Sequence, residues 1–145
     1  MEIIRRQQLK EKPAKGTQLG FGRYFTDYMF TMKYTKEAGW HDAKIEPNEP
    51  KAFDLATSIF HYAQGIFEGM KAFLQPDGSI AVFRPEENWA RMNRSATRMC
   101  IPNFPADVAE EGLEALLKLD RDWIPTEPGT ALYIRPTIVA TRVML

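Results

Sequence analysis

The residues 61–73, HYAQGIFEGMKAF, mix types that a plain core element would not. Tyr62 and Phe67 offer flat apolar walls, and Tyr62 adds a hydroxyl. Gly65 and Gly69 leave room for a close neighbour, and Glu68 carries a charge among them. Aromatic walls, small residues and a few polar tips describe the lining of a small-molecule pocket. Two arginines extend the chemistry. Arg91 falls on the second turn of an expected helix, where a guanidinium can hold a phosphate or carboxylate in bidentate fashion. Arg94 and Arg98 are close by, so a solvated helix face is the ordinary alternative. In Leu132-Tyr133-Ile134-Arg135-Pro136, Tyr133 and Arg135 point the same way if the segment is a strand. An arginine among β-branched neighbours is costly to bury without an anion; an edge-strand arginine facing water is the competing reading. Lys71 invites a covalent role, but it lies between Met70 and Ala72 with no device to lower its pKa and reads as solvent-facing or structural. His41, His61 and Cys100 lack metal-ligand spacing, so no metal site is expected. Gly20-Phe21-Gly22 is too short a signal for a phosphate loop.

The elements that must position these residues follow from periodicity. From Arg23 to Tyr34 the chain alternates, with Tyr24, Tyr28, Phe30 and Met32 on one face and Asp27, Thr31 and Lys33 on the other, which predicts a strand. Residues 35–51 hold Gly39, Pro47, Asn48 and Pro50 and read as loop, with a short strand near Ile45. Thr57 or Ser58 is positioned to cap a helix over Ile59 to Glu68, with Gly69 as its left-handed terminator. Pro76-Asp77-Gly78 between two apolar runs predicts a hairpin. Pro85 suits the first turn of a helix whose buried face carries Trp89, Met92, Ala96 and Met99. Asp107 and Glu110 resemble a capping box for a further helix with Val108, Leu113, Leu116, Leu117 and Leu119 on its apolar side. Residues 130–145 are rich in β-branched types and read as one strand. Strands with interspersed helices, two strands in a hairpin, indicate an α+β fold with an antiparallel or mixed sheet and flanking helices.

Bulk properties narrow the function class. The 145 residues correspond to one domain, and 44% are hydrophobic. Lys+Arg and Asp+Glu both number 19, a formal net charge of zero, which argues against nucleic acid or anionic membrane as the main partner. No apolar run approaches the ~20 residues a membrane span requires. Cys100 is the single cysteine, consistent with a reducing, cytoplasmic setting; packing in the interior is its expected role. The N-terminal 1–20 are polar, without a signal core, and read as a loose arm or a partner-binding strand.

The order FGRYFTDYMF, HYAQGIFEGMKAF, FRPEENWARMNRSA and ALYIRP is similar to the N-terminal part of branched-chain amino acid aminotransferases, pyridoxal 5′-phosphate (PLP) enzymes of fold-type IV. The resemblance runs from about Phe21 to the end. It implies that Arg91 binds the cofactor phosphate. It implies that Tyr62, Phe67 and Tyr133 wall the substrate side-chain pocket, that Gly69 lies near the substrate, and that Phe21 is a pocket aromatic. Arg135 is implied to receive the distal carboxylate of glutamate or 2-oxoglutarate. The implied substrates are leucine, isoleucine and valine with their 2-oxo acids, in the setting of branched-chain amino acid biosynthesis. The implied assembly is a homodimer.

The family's Schiff-base lysine, its cofactor-ring tyrosine and the glutamate on the pyridine nitrogen belong to a C-terminal domain. The resemblance therefore divides the chain into the arm 1–20, a small N-terminal α+β domain 21–140 and the start of an interdomain linker 141–145. No catalytic residue is assigned within this chain, and the 145 residues alone are expected to be inactive, as in a truncated form. Two rivals are a non-catalytic dimerisation or binding module, suggested by the apolar end Val143-Met144-Leu145, and another fold-type IV enzyme, a D-amino acid aminotransferase or aminodeoxychorismate lyase.

Overall fold

The computed structural model describes residues 1–144. It contains eight strands, three α-helices and one 3-10 turn among those residues. The strands are β1 (Glu2–Ile3), β2 (Tyr28–Thr35), β3 (Gly39–Pro47), β4 (Gly65–Phe67), β5 (Met70–Leu74), β6 (Ile80–Val82), β7 (Leu132–Ile134) and β8 (Thr137–Val139). The helices are α1 (Ser58–Tyr62), α2 (Pro85–Arg98) and α3 (Ala106–Leu119), followed by a 3-10 turn over Arg121–Trp123. The strands form three small sheets, ordered β1-β3-β2, β6-β5-β7 and β4-β8. All pairs are antiparallel except β1 with β3, so the α+β expectation with a mixed sheet holds.

The core forms around α2 and α3, with α2 against β4 and α3 against β2 and β3. Trp89, Met92 and Ala96 from α2 and Ala109, Leu113 and Leu117 from α3 are buried with Ile66, Met70 and Ala72. Spacings of three and four residues place each helical trio on one face, and alternation places Met70 and Ala72 on the same side of β5. Trp89 Nε1 donates to the Glu110 carboxylate and so ties α2 to α3. Gly112 lets α3 approach β2: a Cβ there would lie 2.6 Å from the Phe30 ring.

The predicted hairpin forms as expected, Gln75 N donating to Ser79 O at 2.8 Å across the turn, with Gly78 at φ +85°. Pro85 opens α2. Several boundaries differ. The helix expected over residues 59–68 stops at Tyr62, because Ala63 already takes the left-handed conformation. The following residues, Gly65–Phe67, instead pair with Thr137–Val139, a long-range contact that local pattern does not reveal. Thr57 is the helix N-cap but makes no side-chain cap bond; Ser58 Oγ donates to Arg142 O at 2.7 Å. The capping box at Asp107 is absent, since α3 starts at Ala106 after Pro105 and Glu110 is taken by Trp89.

The loop expected over 35–51 is largely the nine-residue strand β3, the hairpin partner of β2. The strand expected from Arg23 begins only at Tyr28, leaving Tyr24 and Phe25 exposed. The single strand expected over 130–145 is two, broken at Arg135-Pro136, because proline has no N–H to continue the ladder. Leu145 lies outside the described residues.

Two further expectations are corrected. Cys100 is exposed: it adopts φ +55° just past α2, where Ile101 N donates to Ala96 O at 2.8 Å and closes the helix. The N-terminal arm is not loose. Its β1 pairs with β3, and Lys10 Nζ donates to the carbonyls of Thr26 and Asn48, each at 2.9 Å. Lys10 N and Trp123 Nε1 both donate to the buried Asp27 carboxylate at 2.7 Å.

Candidate functional site

The break between β7 and β8 creates the first cluster. β7 pairs with β5, Tyr133 opposite Lys71, while β8 pairs with β4, Thr137 opposite Phe67. The residues of the break therefore sit between two sheets. Arg135 Nη2 donates to Tyr133 Oη at 2.9 Å. Its guanidinium lies 4.3 Å from the Phe67 ring centroid and 5.2 Å from that of Tyr133. Phe21, from the turn after the arm, meets Tyr133 edge-on with centroids 4.9 Å apart. Gly69 immediately precedes β5, and a Cβ at this position would fall inside contact distance of the Tyr133 hydroxyl. The missing side chain is therefore what lets the phenol stand there. Phe21, Phe67 and Arg135 are exposed. Among the described residues no carboxylate forms a salt bridge with Arg135. The cluster offers aromatic faces and one accessible cation whose orientation is set by a phenol and a ring.

The second cluster adjoins the first through the chain itself. Glu68, one residue before Gly69, is 5% exposed. Its carboxylate accepts from Arg91 Nε at 2.6 Å and from Arg91 Nη2 at 2.7 Å, a fork-to-fork pair. Asn88, one turn earlier on α2, donates from Nδ2 to Glu68 Oε2 at 2.9 Å and to Gly69 O at 3.3 Å. Gly69 N adds a fourth donor at 3.3 Å. The Arg91 guanidinium beside it holds the Glu68 carboxyl down to about 2, against the opposing effect of burial, with Asn88 and the Gly69 amide assisting. The same pairing raises Arg91 above its ordinary value. Arg91 remains 61% exposed, and its Nη1 makes no protein hydrogen bond among the described residues.

Phe21, Phe67, Gly69, Tyr133 and Arg135 are brought together, and Arg91 is joined to them through Glu68. Tyr62 is elsewhere in the described residues: it ends α1, its ring neighbour is His61 at 6.3 Å, and it lines a shallow depression with Gln64, Arg98 and Arg142. Lys71 is exposed on β5 between buried Met70 and Ala72. Among the described residues no group of three or more His, Cys, Asp or Glu is arranged to hold a metal. Glu68 and Asn88 were given no role by the sequence. Their signal was present only as a charged residue between glycine and aromatic neighbours, whose partner is 23 residues away.

No family model matches the chain. Branched-chain-amino-acid transaminase 1 of Bacillus subtilis (strain 168) is 48% identical over 132 residues, covering 91% of this chain and 37% of that protein. The structure of a T.th. branched-chain amino acid aminotransferase complexed with N-(5′-phosphopyridoxyl)-L-glutamate aligns at a TM-score of 0.51. It is 25% identical, covering 64% of this chain and 29% of that one. A branched-chain aminotransferase of Thermoproteus uzoniensis with norvaline aligns at 0.57 and 20% identity over 70% of this chain and 32% of that one. The chain thus spans well under half the length of the relatives it matches. It is a relative of the branched-chain-amino-acid aminotransferases and corresponds to the N-terminal part of those proteins.

Proposed function

We propose that this chain supplies the phosphate-binding and side-chain-binding part of a PLP-dependent branched-chain amino acid aminotransferase. The complete enzyme would exchange the amino group between leucine, isoleucine or valine and 2-oxoglutarate, with glutamate and the branched 2-oxo acids as the other members of the exchange. The observation that carries this reading is the Arg135 guanidinium, bonded to Tyr133 at 2.9 Å and stacked 4.3 Å over Phe67.

Such an enzyme must accept an apolar and an acidic side chain in one place. The faces of Phe21, Phe67 and Tyr133 take the apolar one, removing its area from water at roughly 25 cal/mol per Å². Arg135 meets the carboxylate of the acidic one with charge-assisted hydrogen bonds, which offset its desolvation. Tyr62, at the end of α1, makes no ring contact with this wall among the described residues. The donor set also fits the cofactor: Arg91 is largely exposed, and with Nε and Nη2 held by Glu68 its Nη1 keeps donors unpartnered among the described residues, chemistry that suits a phosphate dianion. PLP, when bound, supplies an electron sink for charge developing at the substrate α-carbon. The residues described here bind and orient; none is assigned the movement of the α-proton, so a polypeptide limited to them would not turn over.

Residues 21–140 would constitute the small domain, with 1–20 folded onto it and 141–145 leading into a linker. Homodimerisation is supported by the large exposed aromatics Phe25, Phe60 and Phe83. A cytoplasmic setting is consistent with the single cysteine, and a role in branched-chain amino acid synthesis is part of the same proposal. Among the described residues no helix is long and apolar enough to cross a membrane. The test is transfer of ¹⁵N from labelled leucine, isoleucine or valine to 2-oxoglutarate by the full-length protein containing this chain. Labelled glutamate is expected. Transfer from D-alanine in its place, or none from any branched-chain donor, would contradict the proposal.

A further inference from the structure

We propose that Glu68 is a positioning residue for the cofactor phosphate, acting through Arg91 and never touching the phosphate itself. This rests on the reading of Arg91 as the phosphate arginine and adds the part that fixes its direction. A long, exposed arginine ordinarily samples many rotamers, and freezing one costs free energy each time a ligand binds. Here two of the three guanidinium nitrogens are already committed. Nε and Nη2 bond Glu68 at 2.6 and 2.7 Å, which leaves Nη1 as the nitrogen without a protein partner among the described residues.

Glu68 can serve as the anchor because it is itself immobile. It is buried, its backbone N donates to Pro136 O at 2.9 Å, and its carboxylate is met only by donors: Arg91, Asn88 and the Gly69 amide. That arrangement demands a carboxylate. A glutamine would turn an NH₂ group toward one or more of those donors and break the fork. Asn88 also holds Gly69 O, so α2 clamps the dipeptide whose second residue seats Tyr133. The position of the phosphate arginine and the position of the side-chain wall are thus set by adjacent residues.

The arrangement sacrifices attraction for aim. A neutralising carboxylate weakens the long-range pull of Arg91 on a dianion. If charge were what mattered, removing Glu68 would tighten phosphate binding; if aim matters, removing it loosens binding.

The experiment compares the affinity of the full-length protein for PLP and for pyridoxal, which lacks the phosphate, by absorbance titration. The ratio isolates what the phosphate contributes. Arg91→Ala tests the underlying reading: if it retains the wild-type ratio, Arg91 is not the phosphate arginine. Given a collapsed ratio in R91A, Glu68→Gln is expected to lower the ratio about tenfold with pyridoxal affinity nearly unchanged. Glu68→Asp, which keeps the charge but withdraws it by one methylene, gives a smaller fall and serves if the glutamine variant does not fold. A ratio unchanged or increased in the Glu68 variants, while R91A loses it, overturns the proposal alone.

Discussion

At the scale of single residues, the site depends on one absence and one buried charge. Gly69 has no Cβ where one would collide with the Tyr133 hydroxyl, and it takes no left-handed φ, so its role is purely one of space. Gly69→Ala is expected to displace Tyr133 and, through it, Arg135. In the full-length protein kcat/KM for leucine should fall about 10- to 100-fold, with little change in Tm. An unaltered kcat/KM would show that Tyr133 has room to move. A second buried charge lies away from the site. Burial pushes the Asp120 carboxyl up to about 6, with Asp27 contributing repulsion, and its Oδ1 has no partner among the described residues. The folded form therefore binds a proton more readily than the unfolded chain, whose carboxyl titrates at about 4. Its contribution to stability is greatest below the unfolded value and is lost as pH rises through 6. Asp120→Asn should raise Tm more at pH 7.5 than at pH 4.5, corresponding to about 1–2 kcal/mol at the higher pH. Equal shifts at both values would contradict this. Asp120 was not singled out in the sequence, and Glu68 stood out there only as a charge whose partner was not visible, since a carboxylate's neighbours in space decide its state. Arg135 and Tyr133 were legible because strand alternation alone puts them on one side.

Among the elements, those set by local rules were readable and those set by distant pairing were not. The Pro76-Asp77-Gly78 turn carries its own geometry, and α2 carries both a proline start and a regular apolar face. By contrast, residues 63–68 continue a helical pattern on paper, but Gly65–Phe67 are drawn into β4 by β8, about 70 residues on. β3 was obscured by Pro47 and Gly39, which mark its ends, not its interruption. The packing of α3 on β2 gives a direct test at this scale. Gly112→Ala puts a Cβ 2.6 Å from the Phe30 ring, so either the helix or the ring must shift. A loss of about 1–3 kcal/mol in stability is expected from such overpacking, read as a lowered denaturation midpoint. A neutral result would mean that Phe30, which is only partly buried, can swing aside.

For the molecule as a whole, the site lies at an edge and not in a closed cavity. Phe21, Phe67 and Arg135 stay exposed although their mutual contacts are specific, and Arg91, tied to Glu68, is largely exposed as well. The fold class was legible because alternation, turns and helical faces add up over many residues. The joining of the two clusters through Glu68-Gly69 was not, because it is made by four hydrogen bonds of which three cross from one element to another. The claim on which the functional account turns is that one surface accepts both leucine and 2-oxoglutarate, with Arg135 serving only the acid. The direct measurement is kcat/KM for each substrate in the full-length protein and its Arg135→Ala variant. A loss at least roughly tenfold greater for 2-oxoglutarate than for leucine is expected; equal losses for the two would contradict a role for Arg135 confined to the acid.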